Sequence, residues 1–306
     1  MKIKFLAVFI LIIFSLLSCE YFEEGTTLNV NTFEANIEGL PTIPDSLTFV
    51  GWFERFDQDK NVEYLVKAFV QDANSTGAIN YKSEKSLKSL QEAQQFWLTT
   101  ERKSVANDSG LVPSSRKILV GSFSSASTSL FISEQQESFD TAKAVFTLVT
   151  PTDGLSTNEL NGIWFVDSVS TSPVAGLRLP ALYGGWIYEG WVEVNGQYLS
   201  TGRFSDPSSK DLFSAYGGGS AGYNFPGEDF LLNAPAGFTF PLDLSNAKIA
   251  ISIEYNDGKT HGVLPYLKIF EGTVLASPQS QVAYSLQYLS PEFARGNSFM
   301  VVDLVK

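Results

Sequence analysis

A proline followed eleven positions later by a tryptophan occurs twice in this chain of 306 residues, each time inside an aromatic strand pattern. Gly39-Leu40-Pro41 leads to Phe49-Val50-Gly51-Trp52-Phe53-Glu54, and Leu179-Pro180 leads to Tyr188-Glu189-Gly190-Trp191-Val192-Glu193. A second pair of anchors agrees. The pattern ending at Glu101 is followed by Pro113 twelve residues on and Gly121 eight further; the pattern ending at Glu254 is followed by Pro265 eleven on and Gly272 seven further. Length differences fall in the intervening loops, where a shared core tolerates them. One β module written twice is the expectation.

Local patterning supports strands throughout. Asn195-Gly196 tolerates positive φ at both positions and predicts a two-residue hairpin between an aromatic strand ending near Val194 and a return strand from Tyr198 to Phe204. Ile249, Ile251 and Ile253 alternate with Ala250, Ser252 and Glu254, the period of a half-buried strand. Further strands are expected over Leu28–Glu38, Leu47–Phe56, Val62–Val70, Phe96–Glu101, Arg116–Phe123, Ala144–Val149, Gly162–Ser170, Val282–Leu289 and Phe299–Val305. One helix is expected, over Ser83–Gln95, where Leu87 and Leu90 recur at helical spacing. Aromatic content of 13% favours the pleated surface overall. The expected class is all-β: two tandem immunoglobulin-like β-sandwich modules, residues 28–133 and 134–306, the second carrying the C-terminal strands. The serine-rich stretch from Ser122 to Ser129 is a candidate boundary.

The first 27 residues read differently. Lys2 and Lys4 precede an apolar run from Phe5 to Phe14, extended to Leu17, which has the form of a signal peptide over residues 1–18 and is short for a membrane span. Cys19, the one cysteine, directly follows Leu16-Leu17-Ser18. That ending resembles a bacterial lipobox, which implies cleavage before Cys19 and attachment of palmitate and related acyl chains there. Residues 19–27 would then be a tether, with Glu20, Glu23 and Glu24 resembling a surface-export signal. The expected location is the outer membrane or cell surface, held by a lipid anchor.

Chemistry is harder to find. A net charge of −12 opposes phosphate backbones and excludes nucleic acid as a partner. A single cysteine excludes a disulfide framework and a cysteine-built zinc site. Asp57, Asp59 and Asn61 have the spacing that opens a calcium loop, but Val62 and Ala68 stand where its glycine and closing glutamate belong, so no metal site is expected. Gly217-Gly218-Gly219 lacks the remainder of a phosphate-binding loop. His261, the sole histidine, lies in a polar turn. Glu189, Glu193, Asp206, Glu228, Asp229 and Glu254 could supply an acid and a base for glycoside hydrolysis, which makes a carbohydrate-active enzyme using loop carboxylates the first alternative function. Trp52, Trp97, Trp164, Trp186 and Trp191 could form a sugar-stacking face, but Trp52 and Trp191, at equivalent places in two strands, are expected to be core. Trp186, five residues before Trp191 and on the opposite strand face, is the candidate ligand-facing aromatic.

Leu179-Pro180, Tyr188-Glu189-Gly190-Trp191, Ser200-Thr201-Gly202-Arg203-Phe204, Ile251-Ser252-Ile253-Glu254 and Gly272 together resemble the extracytoplasmic domain of anti-sigma-K factors. The resemblance spans Phe146 to about Gly272 and, more faintly, Leu28 to Gly121. It implies a β-sandwich and names no catalytic residue or cofactor. The family's sigma-binding segment and membrane-spanning helix have no counterpart before Cys19, so direct sigma binding is not expected. The expected function is non-catalytic: binding or structural contact with an envelope protein or glycan, with a sensory accessory role in an anti-sigma system as the second alternative.

Overall fold

The computed structural model describes residues 28–304, apart from 57–58, 60–61, 84–92, 125, 135–138, 155–156 and 170–171. The leader, Cys19, the tether and most of both the calcium-like loop and the expected helix therefore lie outside the described residues. Among the described residues the fold is all-β, and no helix is long and apolar enough to cross a membrane.

The first half begins with β1 (Leu28–Glu38), β2 (Leu47–Phe56), β3 (Val62–Gln71) and β4 (Ile79–Ser83). It continues with β5 (Gln95–Arg102), β6 (Lys117–Ser122) and β7 (Ser127–Leu130). One antiparallel sheet has the order β3-β2-β5-β6. Strand alternation turns Phe49, Gly51 and Phe53 to one side, where Phe53 and Phe96 meet Phe33 of β1 at centroid distances of 4.7 and 5.2 Å. These rings seam the sheet to its facing layer.

That layer contains a strand from the far end of the chain. β20 (Arg295–Leu304) lies between β1 and β7 in the order β4-β1-β20-β7. The final strand, expected with the second half, pairs residue by residue with the first strand, from Leu28↔Leu304 to Glu38↔Arg295. Without it, one edge of β1 would leave N–H and C=O groups unpaired beside an aromatic core, which costs about as much as the lost hydrogen bonds. Nor does the serine-rich stretch act as a linker: Ser124 bridges Ser127, and β7 is a sheet member.

The second half has a sheet of β14 (Gln197–Phe204), β13 (Trp186–Val194), β16 (Lys248–Tyr255), β17 (Leu267–Thr273) and β19 (Gln287–Tyr288), in that spatial order. The turn joining β13 to β14 has φ of 52° at Asn195 and 76° at Gly196, as its sequence requires. The facing layer is built on β8 (Lys143–Leu148). It runs β12-β8-β9-β15, with β9 (Gly162–Trp164), β12 (Leu177–Arg178) and β15 (Gly227–Asp229), and β18 (Ala283–Ser285) also pairs with β8. The strand expected over Gly162–Ser170 is split into β9 and β10 (Val166–Ser168), the latter paired with β11 (Val174–Ala175).

The sheets β3-β2-β5-β6 and β14-β13-β16-β17 share more than strand order. The pairing of β2 with β3 slips between Gly51 and Trp52, and that of β13 with β14 slips between Gly190 and Trp191. A second slip falls opposite Thr99 in one sheet and opposite Ser252 in the other. At the first slip the glycine admits an aromatic ring. A Cβ on Gly51 would stand 2.5 Å from the Phe69 ring, and one on Gly190 would stand 2.6 Å from the Phe165 ring.

Trp52 and Trp191 are buried, at 2% and 1% exposure, but they lie on the sheet faces turned away from the main core. The inward face of β13 carries Trp186, Tyr188 and Val192 instead. The two tryptophans of this strand do occupy opposite faces, with the expected sides exchanged.

Candidate functional site

After Phe204 the chain leaves its sheet and next joins the facing layer at β15, which pairs with β9 through Gly227↔Trp164, Glu228↔Ile163 and Asp229↔Gly162. The excursion encloses a cavity of about 350 Å³ bounded by Thr152, Trp164, Asp211, Phe213, Tyr223 and Glu228. Tyr223 meets Trp164 edge to face at 5.4 Å, so one wall is aromatic. Gly218 closes another side, its N–H donating to Thr152 Oγ1 at 2.6 Å; a Cβ there would lie 2.4 Å from the Thr152 carbonyl.

Asp211 and Glu228 are part of the lining and Asp229 sits behind Thr152 and Trp164, each carboxyl held by hydrogen-bond donors. Asp211 accepts from the N–H groups of Gly227 and Phe213, both at 2.9 Å. Glu228 accepts from the N–H groups of Asp229 at 3.0 Å and Tyr216 at 3.3 Å. Asp229 accepts from Thr152 N–H at 2.8 Å and Trp164 Nε1–H at 2.7 Å. Burial dominates their ionisation. It pushes Asp211 up to about 7 and Glu228 up to about 8 against their main-chain hydrogen bonds, with the negative charge of Asp211 adding to the shift at Glu228. Asp229 is raised by burial as well. At neutral pH the cavity therefore offers Glu228 chiefly as a neutral carboxyl, able to donate as well as accept.

Of the acidic residues singled out in the sequence, only Glu228 and Asp229 belong here. Asp211 and Tyr223 were missed; Trp164 was among the tryptophans considered for sugar stacking, but no local spacing connects it to residues some fifty positions later. Asp206 is exposed and turns its own loop, accepting from Ser208 N–H at 2.8 Å and Ser209 Oγ at 2.7 Å, and these bonds lower its pKa. His261 is exposed, with its ring 4.4 Å from Phe213. Glu193 pairs with Lys248 at 3.1 Å.

Glu189 and Glu254 lie on the outward face of β13 and β16, beneath the loop from Tyr255 to Tyr266. Glu189 is fully buried and accepts from Arg203 Nε at 2.7 Å and from Ser200 Oγ and Gly262 N–H, while Arg203 also meets Asp257 at 2.6 Å. Trp191 Nε1–H donates to Ser252 Oγ at 2.7 Å, Ser252 donates to Glu254, and Glu254 accepts Tyr266 N–H at 2.9 Å. Burial pushes Glu254 up to about 7. The first half holds the same relay: Trp52 Nε1–H to Thr99 Oγ1 at 2.9 Å, Thr99 to Glu101 at 2.7 Å, and Ser114 N–H to Glu101 at 2.7 Å. These carboxylates anchor loops to sheets.

Trp186 is not a ligand-facing aromatic. It is 4% exposed, stacks at 6.3 Å on Tyr266, and donates its indole N–H to Ile118 O. The strand is covered on both faces, so alternation alone could not mark an exposed side. No group of three or more His, Cys, Asp or Glu among the described residues is arranged to hold a metal ion. Comparison with protein-family profiles, with curated proteins and with solved structures returned no match.

Proposed function

We propose that the chain is a lipid-anchored protein of the bacterial cell envelope that acts by binding, through two tandem immunoglobulin-like β-sandwich modules resembling the outer domain of anti-sigma-K factors. The observation that carries binding is the loop cavity, whose aromatic wall of Trp164 and Tyr223 faces carboxyl groups already satisfied by main-chain donors. A preorganised lining of this kind, with Glu228 chiefly protonated at neutral pH, suits recognition of a polar ligand that carries no negative charge. The shared strand order, matching slips and paired Trp relays support the duplication. The anchor rests on the sequence ending at Cys19. Labelled palmitate incorporated by the wild type and not by Cys19→Ser is the expected result; equal labelling of both would refute the anchor.

A second reading is a carbohydrate-active enzyme. It is favoured by one observation, a carboxyl at about 8 beside another at about 7, as a general acid requires. Reducing-sugar release from a polysaccharide panel, abolished by Glu228→Gln with the fold intact, would establish catalysis and displace the binding proposal.

A further inference from the structure

We propose a second binding site, for a neutral oligosaccharide, on the outer face of the sheet β4-β1-β20-β7. It goes beyond the loop cavity and involves none of its residues.

The site is a product of strand register. Asn36 of β1 stands opposite Asn80 of β4 and opposite Asn297 of β20, and Asn297 stands opposite Ser129 of β7. Directly paired residues share a sheet face, so four polar side chains form one row across four strands. At about 4.8 Å per strand the row is roughly 14 Å long. All four residues are exposed, while Phe33, Ala35, Ile37 and Leu130 on the other face are buried to within 2%. A groove of about 410 Å³ runs over the row, and Phe131, 37% exposed, forms part of its side.

Asparagine is a poor strand former, since its amide competes with the ladder for main-chain hydrogen bonds. Three asparagines at one level of one sheet, drawn from positions 36, 80 and 297, break that local rule together with no return in packing, as binding surfaces do. Among the described residues none of the three amides has a hydrogen bond within the chain, so each is available to donate twice and accept twice.

The charge pattern selects the ligand. The charged side chains at the margin are matched to one another: Arg295 with Glu38 at 2.7 Å and with Glu292 at 2.8 Å, and Lys82 with Glu34 at 2.7 Å. The floor is left uncharged in a chain of net charge −12. Arg295 and Glu38 also line the groove, but the guanidinium is already matched by Glu38 and Glu292, so phosphate or carboxylate ligands gain no unpaired cation there. A protein partner would want an apolar centre, and this centre is amide. A chain of neutral sugars offers adjacent hydroxyls to the amides and the C–H face of a ring to Phe131.

The test is affinity electrophoresis of the full-length chain, with Cys19→Ser for solubility, in gels containing a β-glucan, xylan, galactomannan or dextran, and alginate as the acidic control. Retardation is expected in at least one neutral gel and not in alginate. The variant N36A/N80A/N297A should weaken it about tenfold or more at an unchanged unfolding midpoint. If that variant does not fold, Asn297→Asp, which keeps the size and adds a charge to the floor, should do the same. No retardation in any neutral gel, retention undiminished in these variants, or equal retardation in alginate would overturn the proposal. Loss in Tyr223→Ala but not in N36A/N80A/N297A would move the sugar to the loop cavity, and so overturn this site while sparing the first.

Discussion

Trp186 donates its indole N–H to the main-chain carbonyl of Ile118 across 2.7 Å, joining the first strand of one hairpin to an edge strand of the other half. Gly185 N–H reaches Lys117 O at 2.9 Å beside it, and Thr100 and Tyr255 meet through their hydroxyls at 3.0 Å. The halves thus share a buried seam. Trp186→Ala should cost about 3–5 kcal/mol, the range for deleting a large buried aromatic. Trp186→Phe should cost less, because it removes the donor and keeps most of the ring. Urea unfolding followed by fluorescence would measure both, and an unchanged midpoint in Trp186→Ala would deny the seam its role.

Gly51 and Gly190 admit rings where their strands slip. Alanine at either position is expected to destabilise by about 1–3 kcal/mol through overpacking. Gly110→Ala, where nothing lies within 4 Å, serves as the control and should remain within about 0.5 kcal/mol of wild type.

The relays Trp52-Thr99-Glu101 and Trp191-Ser252-Glu254 are alike in bonding and separate in space. Thr99→Val and Ser252→Ala each strand a buried indole N–H and deprive a glutamate of a donor, at about 1–3 kcal/mol apiece. Combined, the two should add, since the relays share no partner; Thr99→Val with Trp52→Phe should fall well short of additivity. Chemical denaturation of the three single and two double variants would show whether the relays are independent.

Stability should fall as pH rises through neutrality. Asp211, Glu228 and Glu254 have folded values of about 7, 8 and 7, all raised above the ordinary carboxyl range by burial. The folded state therefore holds more protons than the unfolded state between about pH 4 and these values, and stability present below that window is lost across it. Melting temperature should be higher at pH 5 than at pH 8. Glu228→Gln should reduce the difference, and a flat profile in the wild type would contradict the burial of these groups.

Much of the architecture was legible because it is local. Alternation from Ile249 to Glu254 and the turn at Asn195-Gly196 locate strands without reference to anything distant. The repeated interval from proline to tryptophan also found positions that turn out to be alike in hydrogen bonding. What escaped was non-local. Pairing of residue 28 with residue 304 leaves no mark within either segment, and the same holds for the row formed by Asn36, Asn80 and Asn297. Trp186 was misjudged because a strand covered on both faces has no solvent side for periodicity to reveal. Glu54 illustrates the limit: it matches Glu193 in position, yet Gln95 stands opposite it where Lys248 stands opposite Glu193. Burial raises its pKa, with the ammonium of Lys117 opposing the shift, and its oxygens have no hydrogen-bond partner among the described residues.

Insertion of β20 between β1 and β7 decides when and where the molecule can close. One edge of β1 can meet β4 as soon as residues 79–83 are made, but its other edge has no strand beside it until residues 295–304 follow, so this sheet is completed last. The same wiring sets Leu304 beside Leu28, so the first and last described residues of the chain lie side by side at one end of this sheet.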